Sequence, residues 1–513
     1  MSGRAATENV IPGRYALSVG DANMPAPPGW TWTLLTDVAR LESGHTPSRN
    51  HPEWWGGEVP WIGIRDAREH HGETIHTTRE NTNADGLANS AARLLPAGTV
   101  CLSRTASVGY VVVMGREMAT SQDFVNWVCS EAVVPDFLKH LLIAENESLH
   151  RFSKGTTHST IYFPEVKAFH VCLPPVAEQK RIVAKLDALQ ARADAAKEAL
   201  DAVPALLERF RQSVLAAAFR GDLTRTWRER NPDVEPASEL LARIRAERRR
   251  LWQEANPRKP YVEPEPVDPT DLPELPDGWC WAKIDDVGEL LLGRRKAPEY
   301  REEEIEASYL RVANVKSDRL DLDDVSNMLW SRDDVIKYCL QAGDILISEG
   351  QSLERIGQSA MVTPPAAGML FQSTLHRLRA NPQIALARYI QQVCLHWTSS
   401  GLFQRFASIT TNIAHITLTK LREVPFPLCS LEEQAAVSRN IDAQLTRAAD
   451  LKCRTESIRH DLTTLHQSIL AKAFRGELVP QDPNDEPASA LLERIAQGRA
   501  ETPPTRTKRR ARA

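Results

Sequence analysis

From Glu178 to Phe219, apolar side chains recur at Ile182, Leu186, Leu189, Ala193, Ala196, Leu200, Val203, Leu207, Phe210 and Val214. The steps alternate between four and three residues, which keeps one stripe of a helix apolar and matches the seam of a coiled coil. The stretch contains no glycine, and Pro204 is its one helix-bending residue. A second stretch repeats the pattern with Val437, Ile441, Leu445, Ala448, Leu451, Ile458, Leu462, Leu465 and Ile469. Gly221 and Gly476 each follow a Phe-Arg pair and suit left-handed helix caps. A helix of about 40 residues spans roughly 60 Å. The pattern predicts two such helices packed on one another, antiparallel.

The segments 28–175 and 276–429 are patterned differently. Short β-branched runs such as GTVCLSR, GYVVVMG, DILIS and SAMVT lie between Gly and Pro turn signals. They predict short strands in α+β domains. Helices are expected at 135–146 and 384–398. The Trp residues at 30, 32, 279 and 281 read as core at each domain entrance.

Both textures occur twice, in the same order. PGWTW (28–32) returns as DGWCW (277–281), and LPAGTVCLSR (95–104) as LQAGDILISE (340–349). RFSKGTT (151–157) matches RFASITT (405–411), and LPPVAEQKRIVAKLDA (173–188) matches PLCSLEEQAAVSRNIDA (427–443). QSVLAAAFRGDL (212–223) matches QSILAKAFRGEL (467–478), and EPASELLARI (235–244) matches EPASALLERI (486–495). A unit of about 250 residues is therefore written twice, and such duplication predicts a pseudo-two-fold fold.

Composition adds limits. Hydrophobic residues are 42% of the 513, enough for sizeable cores. Lys+Arg total 63 against Asp+Glu 67, a net charge of -4, which alone argues against a nucleic-acid binder. The repeat weakens that argument, because a chain of two separate units could face phosphate with small patches only. The eight cysteines form no CxxC pair and no zinc spacing, so they read as reduced, buried thiols. No apolar run of 18 residues predicts a membrane span, and the N-terminus lacks a signal-peptide core. A cytoplasmic location is expected.

Catalytic motifs are missing. There is no GxxxxGK[ST] loop. The Asn-Pro pairs at 231, 256 and 381 continue as Asp233, Arg258 and Gln383, unlike an amino-methyltransferase tetrapeptide. Asp136 with Glu165 and Lys167 imitates a metal-dependent nuclease triad. The alternative is a cap at Asp136 and an unrelated strand entry at Glu165. Aligning Glu178 with Glu433 places Lys420 opposite Glu165, so the second copy has no such triad. No Ser, His or Cys sits in a nucleophile-elbow context.

The tandem order of a GW.W opening, an LPPxAEQKRIV junction (173–183), a long helix ending in AFRGDL (218–223) and then EPASELL resembles the specificity subunits of type I restriction–modification systems. The resemblance covers about residues 25–498. The second junction (429–441) departs by losing LPP and KRI, and the link 253–276 is unusually Pro-rich. The resemblance implies two α+β target recognition domains separated by two long helices. The division expected is 1–24 tail, 25–176 first recognition domain, 177–262 helical spacer, 263–275 Pro-rich linker, 276–429 second recognition domain, 430–498 second helical spacer and 499–513 basic tail. It implies that each recognition domain reads one half of a bipartite, asymmetric double-stranded DNA site. The helices would dock two modification (methyltransferase) subunits, which restriction subunits join. S-adenosylmethionine, ATP and Mg would belong to those partners, with no cofactor, metal or catalysis on this chain. A coiled-coil scaffold with protein-binding ends is the rival to this DNA role.

DNA affinity needs cations at phosphates, and specificity needs hydrogen-bonding groups at base edges. In the first domain the candidates are Arg65, Ser103, Arg104, Thr105, Ser107, Ser121, Gln122, Lys154, Thr156, Thr157 and His158. In the second they are Asn314, Lys316, Ser348, Gln351, Ser352, Gln372, Ser373, Thr410, Thr411 and Asn412. Their alternative role is as ordinary turn residues. The basic stretch 243–259 is either a phosphate contact or a solvated helix face. The loops differ between the copies more than the helices do, which predicts two different half-sites.

Overall fold

The computed structural model describes residues 16–17, 25–105, 107–152, 160–295, 305–410 and 413–501. It divides into two compact units, one of Met1–Leu200 with Ser457–Ala513, the other of Asp201–Glu456. Each unit therefore draws on both copies of the repeat.

In the first unit, a five-stranded sheet runs in the order Ala39–Ser43, Phe124–Cys129, Val100–Ser103, Val111–Met114, Thr74–Ile75. Its register pairs Leu41 with Trp127 and Trp127 with Val100. A smaller sheet orders Glu80–Thr82, Trp55–Ile62 and Ala119–Thr120. The helix Pro135–Leu149 packs on the large sheet. Alternating side chains of Val100–Ser103 and Val111–Met114 serve two cores, since both strands are buried on both faces.

The second unit repeats this order. Gly288–Leu292, Leu375–Ala380, Ile345–Ser348 and Ser359–Met361 form one sheet. Ser326–Trp330, Ile305–Leu310 and Leu370–Phe371 form the other, and the helix is Ala387–Ser399. The first unit adds Thr74–Ile75 and the buried pair Ala16–Leu17. The second adds a small sheet of Gly350–Gln351, Ile413–His415 and Ser408–Thr410.

The long helices are Val176–Phe219 and Leu431–Phe474. Pro204 lies inside the first without ending it. In the first unit, Ile182 and Leu186 near the start of one helix share a core with Leu470, Ala473 and Phe474 at the end of the other. In the second, Val214, Leu215, Ala218 and Phe219 share a core with Val437 and Ile441. The helices thus pack antiparallel in each unit, as the periodicity predicts. The seam is narrower than expected, because Phe210, Leu451, Ile458 and Leu465 are exposed. A pair of helices covers one stripe on each, and a straight helix drifts off a strict seven-residue repeat.

Gly221 (φ 76°) and Gly476 (φ 75°) are left-handed, as caps require. Each meets a proline of the entrance motif. A Cβ on Gly221 would lie 2.2 Å from Pro276 Cγ, and one on Gly476 3.0 Å from Pro27 Cγ. Trp30 and Trp279 are buried, whereas Trp32 and Trp281 are only half-buried. No helix among the described residues is long and apolar enough to cross a membrane.

The arginines from 243 to 250 of the basic stretch lie on the helix Ala237–Ala255 and are already paired, while Arg258 and Lys259 lie beyond its end. Arg243 meets Glu235, Arg245 meets Asp286, Arg248 meets Asp285, and Arg250 meets Glu247 and Glu254. This favours the structural role over phosphate contact. The helix after Val134 starts at Pro135, so Asp136 sits inside the first turn rather than at the cap, paired to Lys139 at 2.8 Å. Glu165 lies in a short helix, Phe163–Lys167, not at a strand entry.

Candidate nucleic-acid interface

In the first unit the strand ends converge on one tip. The turn Thr120–Asp123 is its centre. His45 N–H donates to Thr120 O at 2.9 Å, Ser121 N–H to Ile62 O at 3.0 Å, and Arg104 N–H to Asp123 O at 2.7 Å. Thr105 bridges Thr160, and Ile161 N–H returns to Arg104 O. The segments around 45, 62, 104, 121 and 160 are therefore held together by backbone bonds.

The second unit builds the same tip from equivalent segments. Gln372 N–H donates to Leu310 O, Ser373 N–H to Arg294 O, Glu349 N–H to Thr374 O, and Ile416 N–H to Glu349 O. Gly44 and Gly293 occupy matching places. A Cβ on Gly44 would fall 1.9 Å from Ser121 O, and one on Gly293 2.2 Å from Gln372 O. Both glycines let the strand-end loop lie directly on the turn.

The tips bring most of the sequence candidates together but use many of them internally. Ser103 is buried; its Oγ donates to Ser107 O and accepts from Tyr110 N–H. Ser121 is buried and closes a turn with Asp123. Arg104 donates to Ile161 O and Gln122 O and lies 4.7 Å over the Phe163 ring, where burial lowers its pKa. Asn314 is buried, donating to Asp321 O and Asp324 O while accepting from Arg311 N–H. Ser348 is buried too. Lys316 faces Asp321 at 3.8 Å. Thr105, Ser107, Gln351, Gln372 and Ser373 are half-buried. Arg65, Gln122 and Ser352 are exposed. Thr410 ends the strand Ser408–Thr410. Lys154, Thr156, Thr157, His158, Thr411 and Asn412 lie outside the described residues.

Sequence reasoning missed the loop 45–55. Thr46 Oγ1 donates to Gln122 Oε1, fastening the loop to the tip. Arg49 stands 3.8 Å over the Trp55 ring and grips Glu80 through two hydrogen bonds of 2.7 Å. That contact raises the arginine's pKa and lowers the glutamate's. A basic residue beside two tryptophans (SRNHPEWW) was a legible signal, but loop 45–55 has no matching block in the second copy.

The AEQ and EEQ motifs prove structural. Gln179 Oε1 accepts from Val134 N–H at 2.8 Å, and its Nε2 donates to Ala132 O and Pro174 O. Gln434 does the same with Leu386 N–H, Ile384 O and Cys429 O. Glu178 accepts from Trp30 Nε1–H at 3.1 Å, and burial raises its pKa. Among the described residues no three His, Cys, Asp or Glu side chains are gathered to hold a metal ion.

The family model for the type I restriction modification DNA specificity domain matches residues 27–204 and again 276–450. The chain belongs to this family of specificity subunits. It is 25% identical over 379 residues to the EcoDI specificity subunit of Escherichia coli, covering 71% of this chain and 77% of that one. To the EcoKI specificity subunit of Escherichia coli strain K12 it is 26% identical over 358 residues, 68% of each chain. The HsdS subunit from Thermoanaerobacter tengcongensis shares the fold, with a TM-score of 0.58 at 20% identity, covering 89% of this chain and 99% of that one. A chain from a study of type I system assembly and conformational transition gives 0.58 at 21% identity, covering 88% and 100%.

Proposed function

We propose that the recognition domains 25–176 and 276–429 each read one half of a bipartite, asymmetric DNA site through the tips described above. The observation that carries this is two tips of one backbone design bearing different side chains. Shared backbone fixes where DNA would lie, and different side chains would read different bases. The exposed candidates, Arg65, Gln122 and Ser352, together with half-buried Gln351 beside Ser352, are favoured for direct contact.

The spacers 177–262 and 430–498 would dock two modification subunits, which add a methyl group to adenine; with restriction subunits the complex would cleave. Exposed Leu206, Phe210 and Leu451 in the second unit, and Ile458 and Leu465 in the first, supply apolar surface on the helices for such docking. S-adenosylmethionine, ATP and Mg would act on the partners, in the cytoplasm. In the test, the chain is co-expressed with modification subunits and offered random duplexes. Retention of the subunits, and methylation of one split sequence only when this chain is present, is the expected result. A chain that retains neither subunit nor DNA overturns it.

A further inference from the structure

The tip of the second unit carries apolar side chains that its polar neighbours do not explain. Leu353, Ile409 and Ile413 are 39%, 64% and 49% exposed. Ile409 and Ile413 lie on the paired strands Ser408–Thr410 and Ile413–His415; Ile409 is opposite Ala414 and Thr410 opposite Ile413, so Ile409 shares a face with Ala414 and Gln351 while Ile413 is on the other face. The third strand, Gly350–Gln351, belongs to the turn that holds Ser348 and Ser352, and Leu353 follows it directly. This ribbon is anchored from below: the His376 ring Nε2 meets Ile416 O at 2.8 Å, and Lys420 Nζ donates to Ser408 Oγ at 2.8 Å. The aligned positions of the first copy are Gly155 and Ser159, which are not apolar.

A two-stranded ribbon fits the major groove, and the one apolar group exposed on base edges there is the C5-methyl of thymine. We infer that the second recognition domain selects thymine through apolar contact of Ile409 with that methyl, with Gln351, on the same face of the ribbon, and Ser352 at the polar rim. The inference rests on the DNA-reading function proposed above.

The test uses the full chain with its modification subunits. The bipartite sequence is first selected from random duplexes with wild type, Ile409→Ser and Ile413→Ser. The half-site whose selection Ile409→Ser alters is the second domain's; Ile413→Ser, on the opposite face, should alter neither. Each thymine in it is then replaced by deoxyuridine, which removes only the methyl. At one or more positions wild type should bind about three- to tenfold more weakly, as expected for one lost methyl contact. Ile409→Ser should bind both duplexes alike, keep the other half-site unchanged and melt as wild type does, whereas Ile413→Ser should keep the wild-type preference. An Ile409→Ser chain that leaves both half-sites unaltered, a half-site without thymine, or equal wild-type affinity for every deoxyuridine duplex overturns the inference while leaving the DNA-reading function standing. Failure of wild type to select any sequence overturns both.

Discussion

His396 shows how burial alone tunes a residue. Its ring stacks on Phe219 with centroids 5.3 Å apart, and Nδ1 has no hydrogen-bond partner. Burial, helped by the nearby Arg220 charge, lowers its pKa to about 4. The folded unit therefore holds the ring neutral, while the unfolded chain binds a proton near pH 6.5. Stability is fully present above that value and is lost as pH falls toward 4, by about 3 kcal/mol from this group. His376, also lowered by burial, acts in the same direction. Denaturant melts of wild type and His396→Phe between pH 7 and 4 check this, and the variant should lose the larger share of the acid dependence. Gln179 and Gln434 teach a related lesson. Their motif stood out in sequence, yet both side chains are fully buried and held by three internal hydrogen bonds each, out of reach of a ligand.

At the scale of elements, each tip depends on a strand-end glycine pressed against a turn. Gly44→Ala has no room for its methyl against Ser121 O, so the turn 120–123 must shift. The expected outcome is loss of base selection in one half-site, about 1–3 kcal/mol weaker binding to the full site, and unchanged selection in the other half. Gly293→Ala should spare the first and impair the second. Sequence selection with each variant checks both. The strands themselves were legible because runs such as VCLS and ILIS lie between turn signals. The tip was less so, because hydroxyls and amides close turns as readily as they contact bases. Ser103 and Asn314 took the first role, bonding to residues within ten positions of themselves, and Gln122 stayed exposed; the residue type alone does not tell the two roles apart.

For the whole molecule, the end of each repeat completes the core of the unit that holds the other repeat's recognition domain. Phe474 meets Phe137 with ring centroids 5.4 Å apart, and Phe219 meets Tyr389 at 5.7 Å. Phe474→Ala should therefore destabilise the first unit, by about 3–5 kcal/mol. Phe219→Ala should do so to the second. Hydrogen exchange resolved by peptide tells them apart: faster exchange should appear in strands 100–114 for Phe474→Ala and in strands 345–361 for Phe219→Ala. Such long-range closure also predicts slow assembly, since distant segments must meet before either core is complete.

The sequence by itself determined the duplication, the helical seam, the glycine caps and the family, because these rest on spacing and on order along the chain. Only the tertiary structure decided which candidates face solvent. It also showed that the arginines of the basic helix pair with carboxylates both on the helix and on Asp285 and Asp286, and that the seam leaves Leu451, Ile458 and Leu465 bare. The physical reason is common to all three: exposure and charge pairing depend on what packs opposite a residue in three dimensions, which spacing along the chain does not fix.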